Sequence, residues 1–473
     1  MATFGSDCTV IDRWHPSRRD IRSALSRNRL RAVFVVTLLF STAVLATAAS
    51  SGVSTASKEA TPNAPPTDNH TVVTESGRQG TITAYAPNGE IVYYNNTHTK
   101  YFDADPVAEN PMVVEYTATD TIHTEGPTCS NPPCAKNVLE RVNLKTGEVD
   151  VLYERYDHQE TAGEWHDADR INETHVLIAD IIDDQVFIVD TETEIVEWLW
   201  DAQSDYPVEG GGPYPHDWAH LNDVEYIEEG TNAGRVMVSL RNQDQVAFID
   251  PEKGLMENWT LGAEDDYDVM FEQHNPDYIP ESRGGPAVVV ADSENGRIQE
   301  FQREDGNWTQ SWEWSDRRMQ WPRDADRLPN GNTLVTDTHG NRVMEIAPNG
   351  EIVWQVESTL PYEAERLETG AESAGGESAA TLGFESRTAD AAESDGGGSS
   401  LLDTVTDTIQ SNVPHRITNA IYFVSPVWMG AREFAAVTLG LLVALTWFTL
   451  ETKWQLQNRG FGFQLPLYRH KEE

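Results

Sequence analysis

Six short stretches of this chain place histidine, arginine, asparagine or an aromatic residue at one repeated position and follow it with acids. They are Phe102-Asp103-Ala104-Asp105, His166-Asp167-Ala168-Asp169, Asn222-Asp223-Val224-Glu225, His274-Asn275-Pro276-Asp277, Arg323-Asp324-Ala325-Asp326 and Tyr362-Glu363-Ala364-Glu365. The second and fourth columns are acidic or amide throughout, and recurrence in every copy points to hydrogen bonding between neighbouring units. The first column varies, and varied polar side chains converging on one place are what a binding site needs. His220, two residues ahead of Asn222, joins that set. A second set follows further along the copies: Arg241 in "SLRNQDQV", Arg297 in "ADSENGRI" and His339 in "DTHGNRV". A neutral imidazole is a competent nucleophile, and arginine holds anionic oxygens. The plainer reading is that these histidines cap strand ends. On that reading Arg297, whose matching slots hold Gln185, Gln245 and Arg342, is structural. The sequence calls for no metal and no cofactor: no second Cys/His pair has a spacing that matches Cys129 and Cys134, and no glycine loop cradles a phosphate.

The elements that must position these residues form a repeat. "WHDADRINETHVLIADIIDDQVFIVDTETEIVEWLW" (165–200) and "WPRDADRLPNGNTLVTDTHGNRVMEIAPNGEIVWQV" (321–356) share one layout, with two more copies between them and a looser one from 101. Each alternates apolar residues, turns at Gly or Asn and returns. Four strands every 40–55 residues or so mark a β-propeller whose innermost strands line a central channel. "APNGEIV" occurs at 86–92 and again at 347–353, at the turn between third and fourth strands. The first copy lacks inner strands before it, and "LPYEAERLETG" (360–370) starts a blade without outer strands after it. The two halves join, so five full copies and one shared copy make an all-β, six-bladed propeller of four-stranded blades with no free edge.

"HDWAHLNDVEYI…SLRNQDQV", "EQHNPDYI…ADSENGRIQEF" and "NGNTLVTDTHGNRVMEI" resemble the arylsulfotransferase family of six-bladed propellers, in a membrane-anchored, haloarchaeal-type form. The resemblance covers most of 81–369. It implies a nucleotide-independent enzyme that moves a sulfuryl group from an aryl sulfate donor to a phenolic or other hydroxyl acceptor through a sulfated histidine. Carried over by motif, His220, His274 and Arg297 hold the sulfate. His339, the histidine of the following blade, attacks, with His166 the next candidate. His166, Arg323, Asn222 and Arg241 complete the substrate site. The same repeats also resemble NHL-type propellers, which mostly bind partners, so a non-enzymatic binder at the cell surface is the alternative.

Composition frames the rest. The chain has 473 residues and a formal net charge of −43, which excludes unaided approach of nucleic acid. Yet its 14 Trp, 15 Tyr and 14 Phe suit a packed core, so the acidity fits a halophilic surface rather than disorder. Two apolar runs, 32–49 and 434–450, are each about long enough to span a bilayer. Arginines at 18, 19, 22, 27, 29 and 31, and Lys453, Arg459 and Arg469, hold both tails inside. The domain plan is a basic tail (1–31), a transmembrane helix or signal anchor (32–49) and a linker (50–80). The propeller (81–369), an acidic disordered linker (370–417), a membrane-associated segment with a transmembrane helix (418–450) and a tail (451–473) follow. The propeller then lies outside a two-pass cell membrane protein. A cleavable signal peptide is the rival reading for the first run, since "ATAAS" offers a peptidase small residues. Cys129 and Cys134 in "TCSNPPCAK" suit a disulfide of an exported protein. Asn69, Asn95, Asn172, Asn258 and Asn307 stand in N-x-T sequons for glycosylation.

Overall fold

The computed structural model of the protein describes residues 18–52, 57–59, 61–77, 80–107, 110–158, 163–316, 318–370, 374–388, 415–426 and 428–459. The α-helices among them are α1 (Arg18–Gly52), α2 (Ala379–Leu382), α3 (His415–Val424) and α4 (Ala431–Asn458). The chain divides into two compact units: Met1–Val53 with Trp428–Glu473, and Ser54–Val427.

The second unit is a ring of six antiparallel sheets. Their innermost strands are Lys100–Pro106 (blade I), Trp165–Arg170 (II), Leu221–Tyr226 (III), His274–Ile279 (IV), Pro322–Arg327 (V) and Pro361–Arg366 (VI). β-branched and aromatic runs such as "HVLIAD" and "QVFIVD" bury both faces of the middle strands, because each sheet is covered by a neighbouring blade on either side. Every blade-to-blade interface has its own apolar core. Leu139, Trp165, Ile178 and Phe187 fill I/II, and Leu177, Trp200, Val224 and Val238 fill II/III. Met237, Phe248, Tyr278 and Val288 fill III/IV, and Val289, Trp314, Val335 and Met344 fill IV/V. The outer position of blade III is divided between two short strands, Gly254–Leu255 and Leu261–Gly262, both paired with Gln245–Asp250.

Ring closure answers the repeated heptapeptide. Blade VI runs, from the axis outward, Pro361–Arg366, Thr71–Glu75, Ile82–Tyr85, Ile91–Asn95, so one strand comes from the late chain and three from the early chain. Both "APNGEIV" copies are turns between third and fourth strands with the same bonds. The Asn88 and Asn349 side-chain oxygens accept from the amides of Glu90 and Glu351, and Gly89 and Gly350 take positive φ. A Cβ on Gly89 would sit 1.8 Å from the Ala64 carbonyl oxygen, so glycine is required there. The folded part thus begins before residue 81. Thr71–Glu75 is the second strand of blade VI, and Ala64 and Val73 help fill the V/VI core.

The stretch expected to be a spacer after 370 also departs from expectation where it is described. Residues 374–388 dock on blades IV and V. The Ser378 and Arg387 amides bond the Arg283 and Glu313 carbonyls, Ala379 N–H donates to Glu300, and Phe384 meets Trp312 edge-on. This docking works through backbone groups and small residues, which leave no apolar period to read. Residues 389–414 lie outside the described residues.

Acids of the second and fourth columns link the blades. Asp103 accepts from the Ala168 amide, Asp167 from Val224, Asp324 from Ala364 and Glu363 from Ala104. Two residues further along, in the fourth column, Asp169 accepts from Tyr226 and Glu225 from Tyr278. The second-column relay skips blade IV, where Pro276 has no N–H and Asn275 donates to Glu363 instead. Burial, then crowding by one another, drives Asp103, Asp105, Asp223, Glu225 and Asp277 far above the usual carboxylate range. Burial raises Asp167 and Asp169 to about 7. A carboxyl that holds its proton in the fold favours the fold below its unfolded pKa, and loses that contribution as pH rises through its folded pKa. Buried histidines act in the opposite sense between their unfolded and folded pKa, but they are fewer. We therefore expect the melting temperature, at fixed ionic strength, to fall between pH 4 and pH 7, measured by circular dichroism. A rise over that interval contradicts this account.

In the terminal unit, α1 and α4 pair antiparallel: Arg31 bonds Glu451, Phe34 meets Trp447, and Gly440 lies against Ser41. Ser26–Ser50 and Arg432–Asn458 are each long and apolar enough to cross a membrane.

Candidate functional site

At the end of the channel where the inner strands begin, a cavity of about 900 Å³ opens, lined among others by Lys100, Glu164, His166, Asp217, His220, Arg241, Trp321 and Arg323. Two first-column residues, His166 and Arg323, line it, and the column's aromatic members pack against them. Phe102 stacks on His166 with ring centroids 4.5 Å apart, and Tyr362 meets both edge-on. The Arg323 guanidinium lies over the Tyr362 ring and donates to Ser76 Oγ at 2.8 Å. In blades I to V the inner strand changes register just here, as between Trp165 and Asp167, and the irregularity re-aims these side chains.

His220 precedes the blade III inner strand at φ 50°, a conformation imposed by Asp184, whose Oδ1 accepts from the Ala219 and His220 amides. The His220 ring is held at both nitrogens. Nδ1 lies 2.5 Å from Asp217 Oδ1, and Nε2 lies 3.0 Å from Arg241 Nη1. Arginine can only donate, so Nε2 carries the lone pair and Nδ1–H donates to Asp217. Burial, then the Arg241 charge, hold His220 down at about 4, against the opposing pull of Asp217. Burial would raise Asp217, but its hydrogen bond with His220 holds it at about 2. The result is an ordered carboxylate–imidazole–guanidinium chain with a neutral ring near neutral pH.

Other imidazoles stand around Arg323. Burial, then His220 and Arg323, push His166 well below the ordinary value. Burial, then Arg323, do the same to His274 and bring His339 to about 3. Burial brings Arg323 itself down to about 10, so it stays charged.

The structure brings His166, His220, Arg241 and Arg323 to the cavity wall. Four other expected residues do not line it. Asn222 is fully buried and donates to the Gln273 carbonyl. His274 is fully buried, with Nδ1 on Ser293 Oγ at 2.8 Å. His339 packs edge-on to Trp321, 4.5 Å between centroids, and lies near Tyr422 of α3. Arg297 spends its donors on Asp292, Glu313 and the Asp268 and Val269 carbonyls. Arg342 repeats that arrangement one blade on, against Asp337 and Asp316, so the slot is architectural. Cys129 and Cys134 are joined by a disulfide. Asn172, Asn258 and Asn307 are exposed, and Asn69 and Asn95 half-buried.

Sequence reasoning missed Asp217, although its place three residues before His220 in "HDWAH" is a readable signal. It also missed Lys100 and Glu164, which pair at the cavity wall, and α3, which brings Arg416 and Phe423 to the rim. Among the described residues one group, His175, Asp190 and Glu197 in blade II, has ligand atoms close enough to share a metal ion. It is partly exposed and outside the cavity lining, and Asp190 already accepts from the Glu192 and Thr193 amides.

Residues 152–359 match the family model described as Arylsulfotransferase (ASST). No curated protein matches the sequence. Many solved structures are similar at low identity. A protein of unknown function from Bacteroides caccae is 11% identical over 63% of this chain and 99% of its own, with a TM-score of 0.43. The periplasmic gluconolactonase of Pseudomonas aeruginosa is 10% identical over 64% and 99%, with a TM-score of 0.40. A virginiamycin B lyase from Staphylococcus aureus is 11% identical over 50% and 73%, with a TM-score of 0.31.

Proposed function

We propose that this protein is an arylsulfotransferase that moves a sulfuryl group from an aryl sulfate to a phenolic or other hydroxyl acceptor, through sulfated His220, outside a membrane. The observation that carries this reading is the Asp217–His220–Arg241 chain on the wall of a cavity that Arg323 also lines. The family match supports it, since Asp217, His220, Arg241, His166 and Arg323 all fall within the matched span.

In the first step His220 Nε2 bonds to sulfur as the ester S–O bond breaks and a phenolate leaves. Arg241 turns from the lone pair onto the sulfuryl oxygens, and Arg323 holds others as charge shifts. Asp217 keeps Nδ1–H in place and stabilises the positive ring. In the second step an acceptor oxygen bonds to sulfur, the S–Nε2 bond breaks, and the acceptor proton passes to a cavity carboxylate. His274 and Arg297, expected as sulfate ligands, serve the architecture on this reading, and the nucleophile moves from His339 to His220. Incubating the protein in high salt with 4-nitrophenyl sulfate alone should release one equivalent of nitrophenol, and adding phenol should start turnover. No release with several aryl sulfates would leave the binding-propeller reading in place.

The pairing of Arg31 with Glu451 supports α1 and α4 as a two-pass anchor with both ends on one side. The arginines at those ends make that side cytoplasmic, with the propeller outside. Protease added to intact cells should cleave within 389–414 and spare a tag at the C-terminus. A protected 389–414 with a cleaved tag reverses the orientation.

A further inference from the structure

α3 closes one side of the cavity and presents two unlike faces. Thr418 and Asn419 are buried against blades IV and V, where Asn419 bonds Gln320 and Glu294. Ile417, Ile421 and Val424 follow the i, i+4, i+7 spacing of a single helix face and are 49%, 43% and 79% exposed. Phe423, 71% exposed, extends that apolar surface to the cavity rim, which it lines together with Val424 and Ala420. An exposed apolar stripe on a helix marks an interaction surface. The chain itself names the occupant. Residues 425–430 alone join Val424 to α4, and fully extended they reach no more than about 25 Å. Where α4 enters a bilayer, the rim of the cavity is therefore tethered within that distance of the lipid surface.

From this tether and the apolar stripe we infer that α3 lies on the bilayer and that the acceptor is a membrane amphiphile, whose hydroxyl headgroup enters the cavity past Phe423 and Val424 while its tail stays in lipid. The inference rests on the sulfuryl-transfer reading. The polar end of the cavity suits such a headgroup, with Thr99, Thr121 and the Lys100–Glu164 pair along one wall. The lipid hydroxyl oxygen takes the sulfuryl group from His220 Nε2, and the hydroxyl proton passes to Glu272 on the same cavity wall.

The test uses the full chain reconstituted in phosphatidylcholine vesicles, with 4-nitrophenyl sulfate as donor and two acceptors that share one reacting hydroxyl: phenol in water and 4-dodecylphenol in the bilayer. The wild type should sulfate dodecylphenol at least tenfold faster than phenol at equal total concentration. Ile417→Asp/Ile421→Asp, on the outward stripe and outside the cavity lining, should remove that preference and leave the phenol rate unchanged. If phenol is sulfated and the double variant treats dodecylphenol as the wild type does, the inference is wrong and the enzyme stands. If the variant loses phenol transfer as well, the stripe serves folding rather than lipid, and the inference again fails. If neither acceptor is sulfated, the sulfuryl-transfer reading itself has failed.

Discussion

His220→Ala should abolish both the release of nitrophenol and the acid-labile sulfate left on the protein by donor alone. Loss of a nucleophile costs on the order of 10⁴-fold or more, because the remaining site can only bind. Asp217→Asn keeps the shape but disturbs the tautomer that presents the Nε2 lone pair, so about 10²–10⁴-fold is expected. Arg241→Ala and Arg323→Ala each remove a preorganised donor, at about 10²–10³-fold. Arg297→Ala separates the two readings of the site. It strips a fully buried carboxylate, Asp292, of its cation and so should cost about 3–5 kcal/mol of stability, seen as a lower melting temperature. In the protein that remains folded the rate should hold. His339→Ala should keep the label, and if it loses the label while His220→Ala retains it, the nucleophile is His339. The acid limb of kcat/KM gives an independent check. His220 must be neutral to attack, so activity should persist below pH 6 and fall as pH drops through about 4.

Removing residues 57–95 should have the largest effect on folding. It takes three of the four strands of blade VI, leaves Pro361–Arg366 with a free edge and uncovers the facing sides of blades I and V. It also empties two interface cores of Val72, Ile82, Ala84, Val73 and Tyr85. At roughly 1.5–3 kcal/mol for each large side chain, the loss is on the order of 10 kcal/mol, comparable to the whole stability of a domain. The truncated chain should show no cooperative melt and should aggregate through its free edge. A truncated protein that melts like the full chain would show that blade VI is dispensable. Supplying 57–95 as a separate segment should restore the transition, because the closure is noncovalent.

The sequence by itself determined the blades, their number and the way the ring closes. Period-two apolar runs, Asn-Gly turns and two identical heptapeptides are local codes, and each blade writes them again. It also determined the acid columns as blade-to-blade links, since a bond made at several interfaces must recur in the chain. It could not show that Pro276 would break that relay, nor that Thr71–Glu75 belongs to a blade, because "TVVTE" is too short a run to stand out. Which polar residues meet at the channel mouth was decided by the tertiary structure. His220 and His339 have similar chemistry and both stand in loops between strands. One is turned toward the axis by Asp184 and held by Asp217 and Arg241, and the other is covered by Trp321 and α3. Arg297 and Arg323 are likewise both arginines at repeated positions. Arg297 has two acids within reach and is consumed by them, whereas Arg323 finds aromatic rings and a serine and keeps its charge for the cavity. Residue type fixes what a side chain can do. The partners that fill or spare its donors come from segments far apart in the chain, and only folding brings them together.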